Sequence, residues 1–303
     1  MIFLFILTQN KGQRKGYNVG ITNFKHIGVI GAGQMGSGIA QVCAMSGIKV
    51  TIIDSKDEAL DKSQTLINKL LNKAVSKEAI TTEAKDQTLG LLNFSKDLNS
   101  LGSSDLTIEA IIENESIKLD LFHKLDELLS DDAILASNTS SIPITRIASA
   151  TKRPHKVIGM HFMNPVPIMK LVEIIPGMAT DSDTIDKIES LVKNLNKTSV
   201  RSQDYPGFIV NRILMPMINE SFRALQEGVA SAKDIDAGMK LGCNQPMGPL
   251  TLADFIGLDT CKAILEVMYQ GLGDTRYAPC PLLCKYVEAG FLGRKTGRGV
   301  YEY

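Results

Sequence analysis

The chain has 303 residues, 33 basic and 33 acidic side chains, five cysteines, no tryptophan and 44% hydrophobic residues. At roughly 150 residues per domain this length predicts two domains, and the balanced charge argues against a disordered acidic tail or a chain-wide nucleic-acid surface. No apolar run approaches the ~20 residues that span a bilayer, and the scattered cysteines Cys43, Cys243, Cys261, Cys280 and Cys284 read as reduced intracellular thiols, not as a disulfide framework or a metal site.

Residues 1–23 differ from the rest. The apolar run Met1–Leu7 precedes Lys11, Arg14 and Lys15, and no acid appears before Asp54. A secretory signal places its charge ahead of the apolar stretch, the reverse of this order. The acid-poor, basic composition fits an organelle transit segment, with an untargeted tail as the alternative, so 1–23 is set apart as an extension outside the fold.

From Phe24 onward, short β-branched runs alternate with helical stretches. Strands are predicted at His26–Ile30, Lys49–Ile53, Leu106–Ile112, Ala133–Ser137 and Lys156–Met160. Helices are predicted between them at Met35–Ser46, Asp57–Val75, Ile117–Leu129 and Ile144–Ala150. Such alternation with compact apolar strands implies a parallel sheet covered on both faces. After Gln203 only helices follow, near Phe208–Gln226, Ala232–Lys240, Pro249–Phe255, Asp259–Tyr269 and Pro281–Glu288. The turn Asp204-Tyr205-Pro206-Gly207 therefore marks the boundary between an α/β domain, 24–203, and an all-helical C-terminal domain, 204–303.

Gly31-Ala32-Gly33-Gln34-Met35-Gly36 follows the first strand and opens the first helix. In such a GxGxxG loop one glycine permits the tight turn, the second lets backbone approach a pyrophosphate, and the third allows helix and strand to pack closely. The helix N-terminus adds unpaired N–H groups and a favourable dipole. The second strand ends at Asp54, 18 residues beyond Gly36. A carboxylate there accepts hydrogen bonds from a ribose diol and repels a 2′-phosphate, which favours NAD over NADP. A glycine turn without a ligand is the bland alternative.

Of the four histidines, His26 lies inside a strand, His123 on a helix surface and His155 in a solvated turn. His161 follows the strand Val157–Met160, where ligands bind in open parallel sheets. The apolar run Leu171-Val172-Glu173-Ile174-Ile175 carries one carboxylate, which when buried needs a partner. A return strand beside His161 would supply one, giving a His–Glu pair for general acid/base work. A structural histidine with an unrelated Glu is the competing reading.

Several ordered motifs carry a resemblance: Gly31–Gly36, Ala136–Ser141, His161–Pro167, Leu171–Glu173, Pro206–Arg212, Met247–Pro249 and Gly293–Gly299. Across residues 24–303 the chain resembles the L-3-hydroxyacyl-CoA dehydrogenase family, closest to its short-chain 3-hydroxybutyryl-CoA members. The resemblance implies a Rossmann-type domain, a helical domain through which two subunits form a homodimer, and an acyl-CoA substrate in the cleft between domains. It implies fatty acid β-oxidation or butanoate metabolism as the setting. His161 would be the general base, Glu173 would orient it and stabilise its charged form, and Ser140 and Asn211 would hydrogen-bond the substrate oxygen. Contacts to NAD would come from the glycine loop, including Gln34 and Met35, and from Asp54, Glu113, Lys118, Ser140, Asn164 and Lys295. For each polar residue the alternative is a cap or turn bond. Similar bacterial enzymes begin almost at the first strand, so the extension before Phe24 points to the mitochondrial matrix, with a cytoplasmic enzyme as the alternative.

On the helix after Asp54, Lys62, Lys69, Lys73 and Lys77 share one face beside an apolar face of Leu60, Ile67, Leu71 and Ala74. A basic stripe suits the phosphates of CoA, with Ser63 and Lys69 as candidate contacts, although a charge run is commonly a solvated face. One departure from the family pattern is Gln245, where a histidine usually precedes Pro. A related dehydrogenase for another small hydroxy acid, or an idle NAD-binding protein, are the rival readings.

Overall fold

The computed structural model describes residues 24–303, and the expected targeting segment 1–23 lies outside them. The α/β half runs β1 (His26–Ile30), α1 (Gln34–Met45), β2 (Lys49–Ile53), α2 (Asp57–Ser76), α3 (Thr82–Gly90), β3 (Leu92–Ser95) and β4 (Leu106–Glu109). It continues through α4 (Glu115–Leu128), β5 (Ile134–Ser137), α5 (Ile144–Ala148), β6 (Val157–Phe162), β7 (Leu171–Pro176), α6 (Ser182–Asn194) and β8 (Thr198–Arg201). These strands form one eight-stranded sheet in the order β3-β2-β1-β4-β5-β6-β7-β8. All neighbours are parallel except β6 and β7. β1, β4, β5 and β6 are buried along their whole length, as strands covered on both faces must be. One apolar cluster, with Ile39, Ile67 and Leu71, packs one face, and a second, with Phe122, Leu125 and Ile147, packs the other.

The chain order reverses between β1 and β4, which opens a crevice at the carboxyl ends of the strands. Past Arg201 come only helices: α7 (Val210–Gln226), α8 (Ala232–Gly242), α9 (Pro249–Ile256), α10 (Leu258–Leu272) and α11 (Pro281–Glu288). They share a separate core around Met215, Phe222, Leu265 and Tyr277. Among the described residues no helix is long and apolar enough to cross a membrane.

At their carboxyl ends two strands depart from the sequence expectation, and both departures matter for the site. β4 stops at Glu109 instead of Ile112, because the Glu109 carboxylate turns back to accept the Ile111 amide at 2.7 Å. β6 runs on to Phe162, so His161 sits within the strand and not just past its end.

Candidate active site

The three loop glycines answer to different demands. Gly31 has φ +102, and a Cβ there would lie 2.5 Å from the Ala110 carbonyl oxygen. At Gly36 a Cβ would lie 1.8 Å from the Gly31 carbonyl oxygen. The fold itself therefore excludes side chains at both. Gly33 has nothing within 4 Å of its Cβ position, so the space in front of it, at the N-terminus of α1, is open. A pyrophosphate needs that close approach to backbone. Asp54 closes the cradle, its Oδ2 accepting the Ala32 amide at 2.9 Å and its Oδ1 the Lys56 amide at 3.1 Å. Each oxygen keeps a lone pair for a ribose diol, so the residues present fit a dinucleotide. Gln34 is exposed beside the opening, and Met35 packs against the core.

Across the crevice, the antiparallel register sets His161 opposite Glu173. His161 Nδ1 lies 2.7 Å from Glu173 Oε2. Glu173 is wholly buried, and its Oε1 accepts the amides of Ile209 (2.9 Å) and Val210 (3.0 Å). Burial pushes the Glu173 carboxyl up, but the bonds from His161 and the two amides outweigh it, and the net direction is down. An ionised carboxylate at Nδ1 fixes the neutral imidazole with its proton there and its lone pair on Nε2. The ring also meets Phe208, with centroids 5.7 Å apart and a tilt of 59°. Phe208 adopts φ +48, unusual for a bulky residue. That bend aims the next two amides at Glu173. Asn211, in the first turn of α7, is buried one residue beyond Val210.

Glu113 organises the turn that follows β5. Its Oε1 accepts the Thr139 hydroxyl (2.5 Å), the Ser140 amide (2.9 Å), and the Ser141 amide (3.1 Å) and hydroxyl (2.8 Å). The Ser140 hydroxyl is farther, at 3.4 Å, and Ser140 is half-buried. Burial raises the Glu113 carboxyl, but the Lys118 charge and these donors prevail, so its net shift is downward. Gln34 Nε2 donates to Asn164 Oδ1 at 3.0 Å, which joins the cradle to the segment after His161. α1 touches that segment directly, since a Cβ on Gly38 would meet Val166 at 2.8 Å.

Not every predicted contact is presented to the crevice. Lys118 is 1% exposed, with Nζ 2.5 Å from Glu109 and 3.3 Å from Glu113. It is consumed by two carboxylates, so it stands behind Glu113 and not on a ligand surface. Ser63 is buried too, accepting the Ser37 hydroxyl at 2.8 Å where α2 packs on α1, which removes it from any CoA surface. Lys295 belongs to the helical half, where Nζ is held by both oxygens of Asp259 at 2.5 and 2.6 Å. Among the described residues no hydrogen bond or ion pair brings it to the cradle. Lys62 and Lys69 are exposed on α2, while Leu60, Ile67 and Leu71 are buried, so the two predicted faces exist. Sequence reasoning missed Glu109, which is entirely buried. The signal was available, because Leu106-Thr107-Ile108-Glu109 is an apolar run ending in a carboxylate, like the run that holds Glu173.

A parallel sheet with a glycine loop facing an acid at the end of β2, and a His–Glu pair across the crevice, defines a dinucleotide-dependent dehydrogenase. The comparisons make that class specific. Residues 26–205 match the model of the 3-hydroxyacyl-CoA dehydrogenase NAD binding domain, and residues 207–303 match that of the 3-hydroxyacyl-CoA dehydrogenase C-terminal domain. A probable 3-hydroxybutyryl-CoA dehydrogenase of Deinococcus radiodurans is 55% identical, over 91% of this chain and 99% of its own. A human mitochondrial hydroxyacyl-coenzyme A dehydrogenase is 43% identical, over 92% of this chain and 91% of its own. Among solved structures, the (S)-3-hydroxybutyryl-CoA dehydrogenase PaaH1 from Ralstonia eutropha superposes with a TM-score of 0.90 at 47% identity, covering 92% of this chain and 99% of that one. The chain belongs to the 3-hydroxyacyl-CoA dehydrogenase family and is an NAD-dependent oxidoreductase. The bacterial relative is the more identical of the two, so the similarity does not carry the expectation of a mitochondrial location, which rests on residues 1–23 alone.

Proposed function

We propose that the chain interconverts (S)-3-hydroxybutyryl-CoA and acetoacetyl-CoA, as part of fatty acid β-oxidation or butanoate metabolism. The observation that carries this reading is the His161–Glu173 pair, 2.7 Å apart and buried near the carboxyl end of β6, in the same sheet as the strand that leads into the glycine cradle. NAD, when bound, supplies the hydride acceptor for C3 or, in its reduced form, the donor. In oxidation the 3-hydroxyl proton goes to His161 Nε2, the nitrogen that Glu173 leaves free, and in reduction the same nitrogen returns it. Glu173 holds the ring through Nδ1. The hydroxyl of Ser140 and the carboxamide of Asn211 donate to the substrate oxygen as its charge develops, where aimed donors in a water-poor site are worth most. Asp54, the glycine loop, Asn164 and Glu113 are the residues we assign to NAD. The preference for a short acyl chain is supported by the names of the bacterial relatives. The exposed lysine face of α2 supports an approach of the CoA phosphates from that side, with Lys69 among the contacts. Exposed Ile213, Val229 and Leu241 on the helical half support a homodimer through that domain.

The decisive experiment is NADH oxidation by the purified chain with acetoacetyl-CoA, longer 3-ketoacyl-CoAs and free hydroxy acids. Turnover should be fastest with acetoacetyl-CoA and absent without CoA. His161→Gln should lower kcat by roughly 10²–10⁴-fold, since the proton acceptor is gone. Near-normal turnover of that variant would refute the mechanism.

A further inference from the structure

Behind the Asn138–Ser141 turn lies a set of side chains of which only Glu113 has a part in the chemistry just proposed. Glu109 ends β4 with its side chain fully buried. Its Oε1 accepts Lys118 Nζ at 2.5 Å and the Ile111 amide at 2.7 Å, and its Oε2 accepts the Ser137 hydroxyl at 2.5 Å. A carboxylate taken out of water is costly unless donors surround it, and these three donors hold Glu109 in one place. Two arms then lead from Glu109 to the same turn. The neutral arm is Ser137, whose hydroxyl oxygen accepts the Thr139 amide at 3.2 Å. The charged arm is Lys118, whose Nζ lies 3.3 Å from Glu113 Oε2, while Glu113 Oε1 gathers the turn itself.

We propose that Glu109 is a positioning residue, which fixes through Lys118–Glu113 and through Ser137 the turn that presents Ser140 to the substrate. The inference rests on the role of Ser140 in the reading above. The network grips backbone in preference to the hydroxyl. The Ser140 amide is held at 2.9 Å, whereas its hydroxyl makes only a long bond to Glu113, at 3.4 Å, which a ligand oxygen can replace. Asn, Thr and Ser readily form competing local turns of their own. A buried anchor selects one of these, and a donor aimed at a developing charge needs that selection.

The test is a double-mutant cycle between Glu109 and Ser140. Glu109→Gln turns one acceptor into an NH₂ group that faces donors on every side. It should lower kcat for acetoacetyl-CoA about tenfold in the wild-type background and less than about twofold in Ser140→Ala. A general structural role would instead give the same loss in both backgrounds, and that result overturns the proposal. Should Glu109→Gln fail to fold, Ser137→Ala cuts the neutral arm without changing charge. Its expected loss, about threefold, should likewise vanish in Ser140→Ala, and an equal loss in both is again fatal. A wild-type chain inactive toward acetoacetyl-CoA overturns the functional reading itself. An active one with additive losses overturns only the positioning.

Discussion

Glu173 and Glu113 are carboxylates whose sites hold them below the usual range despite the opposing effect of burial. For Glu173 the compensating groups are His161 and the amides of Val210 and Ile209. For Glu113 they are Lys118, Thr139, Ser141 and Ser140. A group whose pKa is lower in the folded state contributes stability above its unfolded value, about 4.3 for Glu, and loses it as pH falls through the folded value. Glu173→Gln should therefore be less stable than wild type by about 2 kcal/mol at pH 7, since charge-assisted bonds to a buried acceptor are removed. That gap should narrow below about pH 4 in urea unfolding, and a gap constant down to pH 3 would show that ionisation is not its source. At this scale the sequence was legible where a single charge interrupted an apolar run. The rule found Glu173 and, applied evenly, would have found Glu109. It could not place Lys118, because a lysine on an amphipathic helix reads as solvated until two carboxylates on other elements are seen to receive it.

At the scale of elements, β1, the glycine loop and α1 form a unit whose glycines are separable by experiment. A Cβ at Gly36 meets backbone at 1.8 Å, whereas one at Gly33 meets nothing within 4 Å. Gly36→Ala should lower both thermal stability and NADH affinity. Gly33→Ala, at φ −70 and with room for its methyl, should change stability by no more than about 1 kcal/mol. It should still weaken NADH binding, because the methyl occupies the space meant for the pyrophosphate. Calorimetry paired with fluorescence titration checks both, and unchanged NADH affinity in Gly33→Ala would count against the cradle. The buried strands were readable from composition, with β1 and β2 found at their true bounds. β3 (Leu92-Asn93-Phe94-Ser95) and β8 (Thr198-Ser199-Val200-Arg201) were not, because they edge the sheet, β3 half-buried and β8 mostly exposed. Such strands are defined by their neighbour's hydrogen bonds and not by their own pattern. α3 was missed for its weak apolar face. α6 had a readable start, Asp181 accepting the Thr184 amide at 2.7 Å, and an apolar stripe at Ile188, Leu191 and Val192.

For the molecule as a whole, the junction between halves is held by two carboxylates facing opposite ways. Glu173, from the sheet, accepts the amides of Ile209 and Val210 at the start of the helical half. Asp204, from the linker, accepts the amides of Ile144 and Thr145 at 2.7 Å each, capping α5 on the sheet side. The sequence marked Asp204 only as part of a turn, and the family models meet one residue on either side of Pro206. The reciprocal arrangement ties the orientation of His161 to the placement of the helical half, since one carboxylate serves both. The two clasps should nevertheless differ in consequence. Asp204→Ala removes a cap of two charge-assisted bonds, a loss of about 2 kcal/mol, and should lower the unfolding temperature by several degrees. It touches neither His161 nor Glu173, so kcat should stay within about threefold of wild type, a change of less than 1 kcal/mol in the barrier. Glu173→Gln should lose stability and turnover together. If Asp204→Ala abolished turnover while remaining folded at the assay temperature, the linker would be setting the His161 geometry as strongly as Glu173 does, and the division of labour argued for the two clasps would not stand.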